Sequence, residues 1–93
     1  MTVTVRIPTI LRTYTGGVGE VSVAPAGATV SDVLSALDGD FPGICGRVLD
    51  ERGALRRFVN LYVDEDDIRM LDGLATGTRP GALLSIIPAV AGG

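Results

Sequence analysis

Residues 82–91, Ala82-Leu83-Leu84-Ser85-Ile86-Ile87-Pro88-Ala89-Val90-Ala91, form an almost unbroken apolar run that leads straight into Gly92-Gly93. The run is too short to cross a bilayer, which takes about 20 apolar residues. A strand reads this way when neighbours bury it inside a sheet, whereas an edge strand alternates. A final strand over Ala82–Ile87 is therefore expected at the centre of a sheet, with the rest of the chain arranged around it. The diglycine beyond that strand is chemically unusual. Glycine has no Cβ, so a Gly-Gly end can thread a narrow cleft and adopt angles closed to other residues. Its carboxylate, with no side chain beside it, is a handle for chemistry. Two blander readings compete: a chance pair in a chain with 13 glycines, or a cloning scar.

The other elements are read from local patterns. Thr2 to Ile7 alternates, with Val3, Val5 and Ile7 on one face and Thr2, Thr4 and Arg6 on the other, a half-buried strand. Pro8 ends it. Gly16-Gly17 and Gly19 mark a turn, and Glu20 to Val23 alternates again, predicting an antiparallel hairpin with a long loop. Thr29 and Asp32 have capping-box spacing. Val30, Val33, Leu34, Leu37 and Phe41 then make one helical stripe, stopped by Gly39 and Pro42-Gly43. Ile44 to Leu49 reads as a second short helical turn and Asp50 to Arg57 as a surface loop. Phe58 to Val63 is a strand. Asp64-Glu65-Asp66-Asp67 is read as a hairpin turn, in preference to a hard-cation site, leading to a short strand Ile68-Arg69-Met70. Leu74 to Thr76 is a connector and Arg79-Pro80-Gly81 a turn.

The order strand, strand, helix, strand, short strand, strand predicts an α+β fold with one helix crossing a mixed sheet. The last strand is expected beside the first and parallel to it, which is the β-grasp, or ubiquitin-like, arrangement. Residues 1–88 make that domain, and residues 89–93 are expected to be a flexible diglycine tail.

Composition removes several functions. With 93 residues the chain makes one domain, and with aromatics at 4% its core must come from Val, Leu, Ile and Ala. There is no histidine, so His-based nucleophilic triads and His-ligated metal sites are excluded. The single cysteine, Cys45, cannot make an internal disulfide. It is read as a small buried filler, with a redox or nucleophilic role as the competitor. The net charge is −3 and no basic face is evident along the sequence, so neither nucleic acid nor membrane is an expected partner. All eight basic residues are Arg. A chain without Lys cannot accept an isopeptide conjugate on its own side chains, although a high-GC genome also favours Arg codons. The alternating N-terminus is not a signal-peptide h-region, and a cytoplasmic location is expected.

Several segments carry a resemblance. They are Ile7-Pro8-Thr9-Ile10-Leu11-Arg12, Arg57-Phe58-Val59-Asn60, Tyr62-Val63, Gly73-Leu74-Ala75-Thr76 and Pro88-Ala89-Val90-Ala91-Gly92-Gly93. Together they resemble the prokaryotic ubiquitin-like sulfur carriers. That group includes the thiamin sulfur carrier, the molybdopterin synthase small subunit and, most similar here, the carrier of an actinobacterial cysteine route. The ending is the most specific segment; the strand segments are individually generic.

The resemblance implies a protein co-substrate that is not itself an enzyme and binds no cofactor or metal. It implies that a ubiquitin-activating-type enzyme uses ATP to adenylate Gly93, and that sulfur replaces the adenylate to leave 1-thioglycine, a thiocarboxylate. In the cysteine route a pyridoxal-phosphate cysteine synthase accepts the sulfur and a metallopeptidase releases cysteine. Gly92, Ala91 and Val90 would thread a partner's cleft. Ile87, Pro88, Pro8 and Phe58 are the candidate docking residues, against the plainer reading that Ile87 and Phe58 belong to the core. Donation to molybdopterin, thiamin or another thio-metabolite, attachment to protein lysines, and a β-grasp binding module with incidental glycines remain as alternatives.

Overall fold

The computed structural model describes residues 2–88. Strand β1 (Val3–Arg6) buries Val3 and Val5 and turns Arg6 to solvent, as its alternation requires. It pairs antiparallel with β2 (Glu20–Val23), Val3 facing Val23 and Arg6 facing Glu20. Helix α1 (Val30–Asp40) begins in the expected capping box. Asp32 N donates to Thr29 Oγ1 at 3.2 Å, and Thr29 N donates to Asp32 Oδ2 at 3.2 Å, so two otherwise orphaned donors are satisfied. Val30, Val33, Leu34 and Leu37 are buried against the sheet.

The helix does not stop at Gly39. It runs through to Asp40 and closes with Phe41 N donating to Leu37 O at 2.8 Å, just before Pro42. Asp38 then receives the amides of Gly43 and Cys45 and guides the chain into the short helix α2 (Cys45–Val48), which buries Val48.

Strand β3 (Val59–Val63) and the two-residue β4 (Asp66–Asp67) form a tight hairpin through Asp64, whose φ of 56° is the only positive one at a non-glycine among the described residues. Here the expected short strand Ile68-Arg69-Met70 is a 3-10 helix. The physical cause is Asp67: its carboxylate accepts from Arg69 N at 2.9 Å and bends the chain out of the ladder after two residue pairs, Val63 with Asp66 and Tyr62 with Asp67. The connector at Leu74 is likewise a 3-10 turn, Gly73–Ala75.

Strand β5 (Leu83–Pro88) lies at the centre, in the order β2-β1-β5-β3-β4. It runs parallel to β1, Val5 facing Leu84, and antiparallel to β3, Leu61 facing Ile86. A type II turn starts it: Ala82 N donates to Arg79 O at 3.1 Å, with Pro80 and then Gly81 at φ 82° in the central positions. Leu84 and Ile86 join the core under α1. Ser85, on the other face, is covered between its register partners Arg6 and Tyr62. Ile87 points outward and is 45% exposed. The apolar run is thus apolar for two reasons: its inward residues make the core, and Ile87 does not.

Gly39 sits inside α1 with no atom within 4 Å of where a Cβ would stand. Gly39→Ala should therefore stabilise the protein by about 0.5 kcal/mol by reducing the freedom of the unfolded chain. Thermal melts should show a rise of about 2–4 °C; an unchanged or lower midpoint would contradict this.

Candidate functional site

The site is the place where β5 leaves the sheet. Pro88 faces Val59 in the last rung of the β3–β5 ladder, which brings it beside Phe58. Pro8, just past β1, closes the other side. Two hollows meet here. The larger, of about 950 Å3, is walled by Pro8, Ile10, Tyr14, Phe58 and Pro88 among others. The smaller, of about 560 Å3, is walled by Pro8, Ile10, Ile87 and Pro88. Pro8, Ile10, Ile86 and Pro88 are common to both; Pro8, Ile10 and Pro88 form the outer ridge between them, and Ile86 lies beneath it, 3% exposed.

All four docking candidates that fall within the described residues are thus brought together. Phe58 is 57% exposed, so the core reading of that ring is wrong, and the same holds for Ile87. Pro8 and Pro88 are half-buried. Val90, Ala91, Gly92 and Gly93 lie outside the described residues.

Sequence reasoning missed Ile10 as a docking residue, although it is 68% exposed. It stands on a 3-10 turn, Thr9–Leu11, closed by Leu11 N donating to Pro8 O at 2.9 Å. Leu11 enters the core, and the adjacent Ile10 is left facing out. The signal was present as two neighbouring apolar residues after a proline, too close together for both to be buried on a single turn. Val18, Met70 and Leu71 are also exposed, but they line neither hollow.

Phe58 is held at a fixed corner. Arg56 donates through Nε and Nη2 to Gly46 O, at 3.1 and 2.9 Å. From the opposite side Arg69 Nη2 donates to Arg56 O at 3.1 Å and Val59 O at 2.9 Å, while Nη1 bonds Asn60 Oδ1. One guanidinium therefore ties down the backbone on both sides of Phe58, using the fork of donors that only Arg has. Arg57 lies over the ring of Phe58, 5.7 Å from its centroid.

The two other candidate features have structural explanations. Cys45 Sγ donates to Leu34 O at 2.8 Å, and burial, reinforced by the charge of Asp38, pushes its thiol up to about 11. A thiol so far above its usual value is almost entirely protonated near neutral pH and is a poor nucleophile. Cys45 packs against the core beside α1. In the acidic run, Asp64 Oδ1 accepts from Leu83 N and Oδ2 pairs with Arg79, each at 3.2 Å. With Asp67 bound to the Arg69 amide, the run builds a turn and fastens β3 to the start of β5. Among the described residues, no three His, Cys, Asp or Glu side chains converge as a metal site, and no helix is long and apolar enough to cross a membrane.

A mixed five-stranded sheet crossed by one main helix, with β5 at its centre ending at an apolar collar, defines a ubiquitin-like β-grasp protein. The chain belongs to the ThiS family, whose model matches residues 5–93. It is 48% identical, over the whole of both chains, to sulfur carrier protein CysO of Mycobacterium tuberculosis. It is 38% identical over 66 residues, 71% of each chain, to small archaeal modifier protein 3 of Haloferax volcanii. Among solved structures it is similar to the BexX/CysO complex of Amycolatopsis orientalis. That match has a TM-score of 0.88 at 45% identity and covers 98% of this chain and 99% of that one.

The clamp on Phe58 has a measurable consequence. Arg69→Ala should speed amide exchange at Val59, whose N–H bonds Arg56 O, while α1 keeps its protection. The stability loss should be about 1 kcal/mol, since Arg69 is exposed and its bonds are partly replaced by water. Arg69→Lys should not restore protection, because an ammonium cannot span the same acceptors. Unchanged exchange at Val59 in Arg69→Ala would show that the corner stands without the clamp.

Proposed function

We propose that this chain is a sulfur carrier for cysteine biosynthesis, with the carboxylate of Gly93 as the point of attachment. The observation that carries the reading is full-length likeness to a sulfur carrier, in a fold whose central strand β5 ends at an apolar collar.

The chemistry starts from the carboxylate. An α-carboxyl has a pKa of about 3.5, so near neutral pH it is an anion that nucleophiles do not attack. An adenylating enzyme of the ubiquitin-activating type joins it to the α-phosphate of ATP and releases pyrophosphate. The resulting acyl adenylate is electrophilic. A sulfide equivalent attacks its carbonyl and AMP departs with the electron pair, leaving a Gly93 thiocarboxylate. That sulfur is a soft nucleophile held on a protein, which avoids free sulfide. It adds to the aminoacrylate offered by a pyridoxal-phosphate enzyme. An acyl shift from sulfur to nitrogen then leaves cysteine joined to Gly93 by an amide, and a metallopeptidase hydrolyses that amide. In this scheme the chain is a substrate. Its described residues serve to be recognised and to hold the exit of β5 in place. Gly92, Ala91 and Val90 pass through the partner's cleft, where side chains larger than these would collide.

A second reading, a ubiquitin-like modifier joined to lysines of other proteins, is favoured by the likeness to a small archaeal modifier. Both readings activate the same carboxylate and part at the acceptor: an isopeptide-linked product marks the modifier, a thiocarboxylate the carrier.

Incubation with the cognate adenylating enzyme, ATP and a sulfur donor should raise the intact mass by the difference between sulfur and oxygen, and the gain should map to the C-terminal peptide. Removal of Gly92 and Gly93 should abolish it with the melting temperature unchanged. Cys45→Ser should load at the native rate, because that thiol is protonated and turned to Leu34 O. A mass gain on Cys45, or loading of the truncated chain, would overturn the assignment of Gly93.

A further inference from the structure

Five of the eight arginines stand around the exit of β5. Arg47, Arg56 and Arg57 line the larger hollow, and Arg6 and Arg12 line the smaller. Among the described residues, only Arg6 is paired with a carboxylate, Glu20 at 3.2 Å. Every other bond in the group goes to an uncharged acceptor. Arg12 Nε donates to Ile7 O, Arg47 Nε to Tyr14 Oη, and Arg56 to Gly46 O, while Arg57 lies on the Phe58 ring. Asp50 is the one carboxylate in either wall, and its Oδ1 accepts from the amides of Arg52 and Ala54.

Apart from Asp50 in the larger wall, Glu51 beside it in the sequence and Glu20 on Arg6, the acids are elsewhere. Asp64, Glu65, Asp66 and Asp67 sit at the other end of β5, where Val63 faces Leu84. Asp32, Asp38 and Asp40 lie on α1. A chain of net charge −3 therefore presents a positive end. Arg12, Arg47, Arg56 and Arg57 share these walls with one carboxylate, Asp50, so positive charge is in excess, and their neutral hydrogen bonds aim them without discharging them. Such a ring around an apolar centre has the anatomy of a docking site: apolar anchors within, charges at the rim.

We propose that this end docks on a protein surface whose apolar hollow is ringed by Asp and Glu side chains. The proposal rests on the carrier reading of the β5 exit and specifies the chemistry of the surface that receives it. Ile10, Phe58 and Ile87 enter the hollow, and Arg12, Arg47, Arg56 and Arg57 face the carboxylates. A second copy of this chain is a poor occupant, because two positive ends would meet. Nucleic acid is poorer too. Phe58 is the one exposed aromatic ring among the described residues, whereas single-strand binders stack bases on several.

The test measures binding to the cognate adenylating enzyme by calorimetry and, separately, sulfur loading by intact mass. Despite the negative net charge of the carrier, the Kd should weaken roughly tenfold between about 50 and about 400 mM NaCl, as rim charges are screened. At the lower salt Arg57→Gln should weaken binding roughly threefold and Arg57→Glu further, with a flatter salt response, while Arg57→Lys should match the native chain. Arg47→Gln gives an independent readout of the same rim and should show the same direction of change.

Binding that ignores salt, native affinity in Arg57→Glu, or no binding at about 50 mM NaCl would overturn the proposal. So would self-association at low salt, or tighter binding to a single-stranded oligothymidylate than to the enzyme. Salt-dependent binding without any sulfur gain would leave the docking surface standing and overturn the carrier reading. Sulfur gain with salt-independent binding would do the reverse.

Discussion

Everything in this fold hangs on β5 being held from both sides. Its backbone is paired to β1 over Leu83–Ser85 and to β3 over Leu84–Pro88, and Asp64 fastens its first residue to the end of β3. The two partner strands, β1 (Val3–Arg6) and β3 (Val59–Val63), lie far apart in the sequence, so the sheet is not complete until the last strand is inserted. Once inserted, its inward residues Leu84 and Ile86 meet Val33, Leu34 and Leu37 in one cluster of buried residues. A strand fixed in this way cannot slip by one residue without exchanging its buried and exposed faces, which would bring Ile87 in and put Ile86 out.

That fixed register is what gives the exit surface its shape. Pro88 lies where β3 begins, so the Arg56–Phe58 corner is its neighbour. The turn after β1 brings Ile10 to the same edge. Apolar side chains left outside in this arrangement do nothing for the core, and the arginines around them are not neutralised by it. Burial and exposure are thus divided along a single strand: the inward residues hold the fold, and the outward end is displayed. Under the proposed docking at this exit, a partner is recognised without unlocking the sheet.

Local patterns were readable without the structure. The capping box at Thr29 and Asp32, the alternation of Val3, Val5 and Ile7, and the apolar run of β5 each depend on residues within a few positions, and together they led to the β-grasp order. Errors arose where a side chain overrode propensity. Ile68-Arg69-Met70 looked like a strand because nothing in its composition reveals that the Asp67 carboxylate would capture the Arg69 amide. Gly39 looked like a stop, yet the helix had one more residue to go before Pro42 ended it. Phe58 stood as a docking candidate against a core reading, and its ring is 57% exposed at the corner that Arg69 ties down. The basic end was the least readable feature. Arg12, Arg47 and Arg57 are scattered along an acidic sequence, and only the fold brings them to the same two hollows.

The division of labour along β5 can be tested on two adjacent residues. Ile86 is 3% exposed and Ile87 is 45% exposed, with the same side chain and the same strand. Ile86→Ala should cost about 2–5 kcal/mol in denaturant unfolding. Ile87→Ser should cost less than about 1 kcal/mol and reduce kcat/KM for sulfur loading at least roughly tenfold. Equal destabilisation by the two substitutions, or native loading of Ile87→Ser, would contradict the claim that the outer end of β5 is a recognition surface.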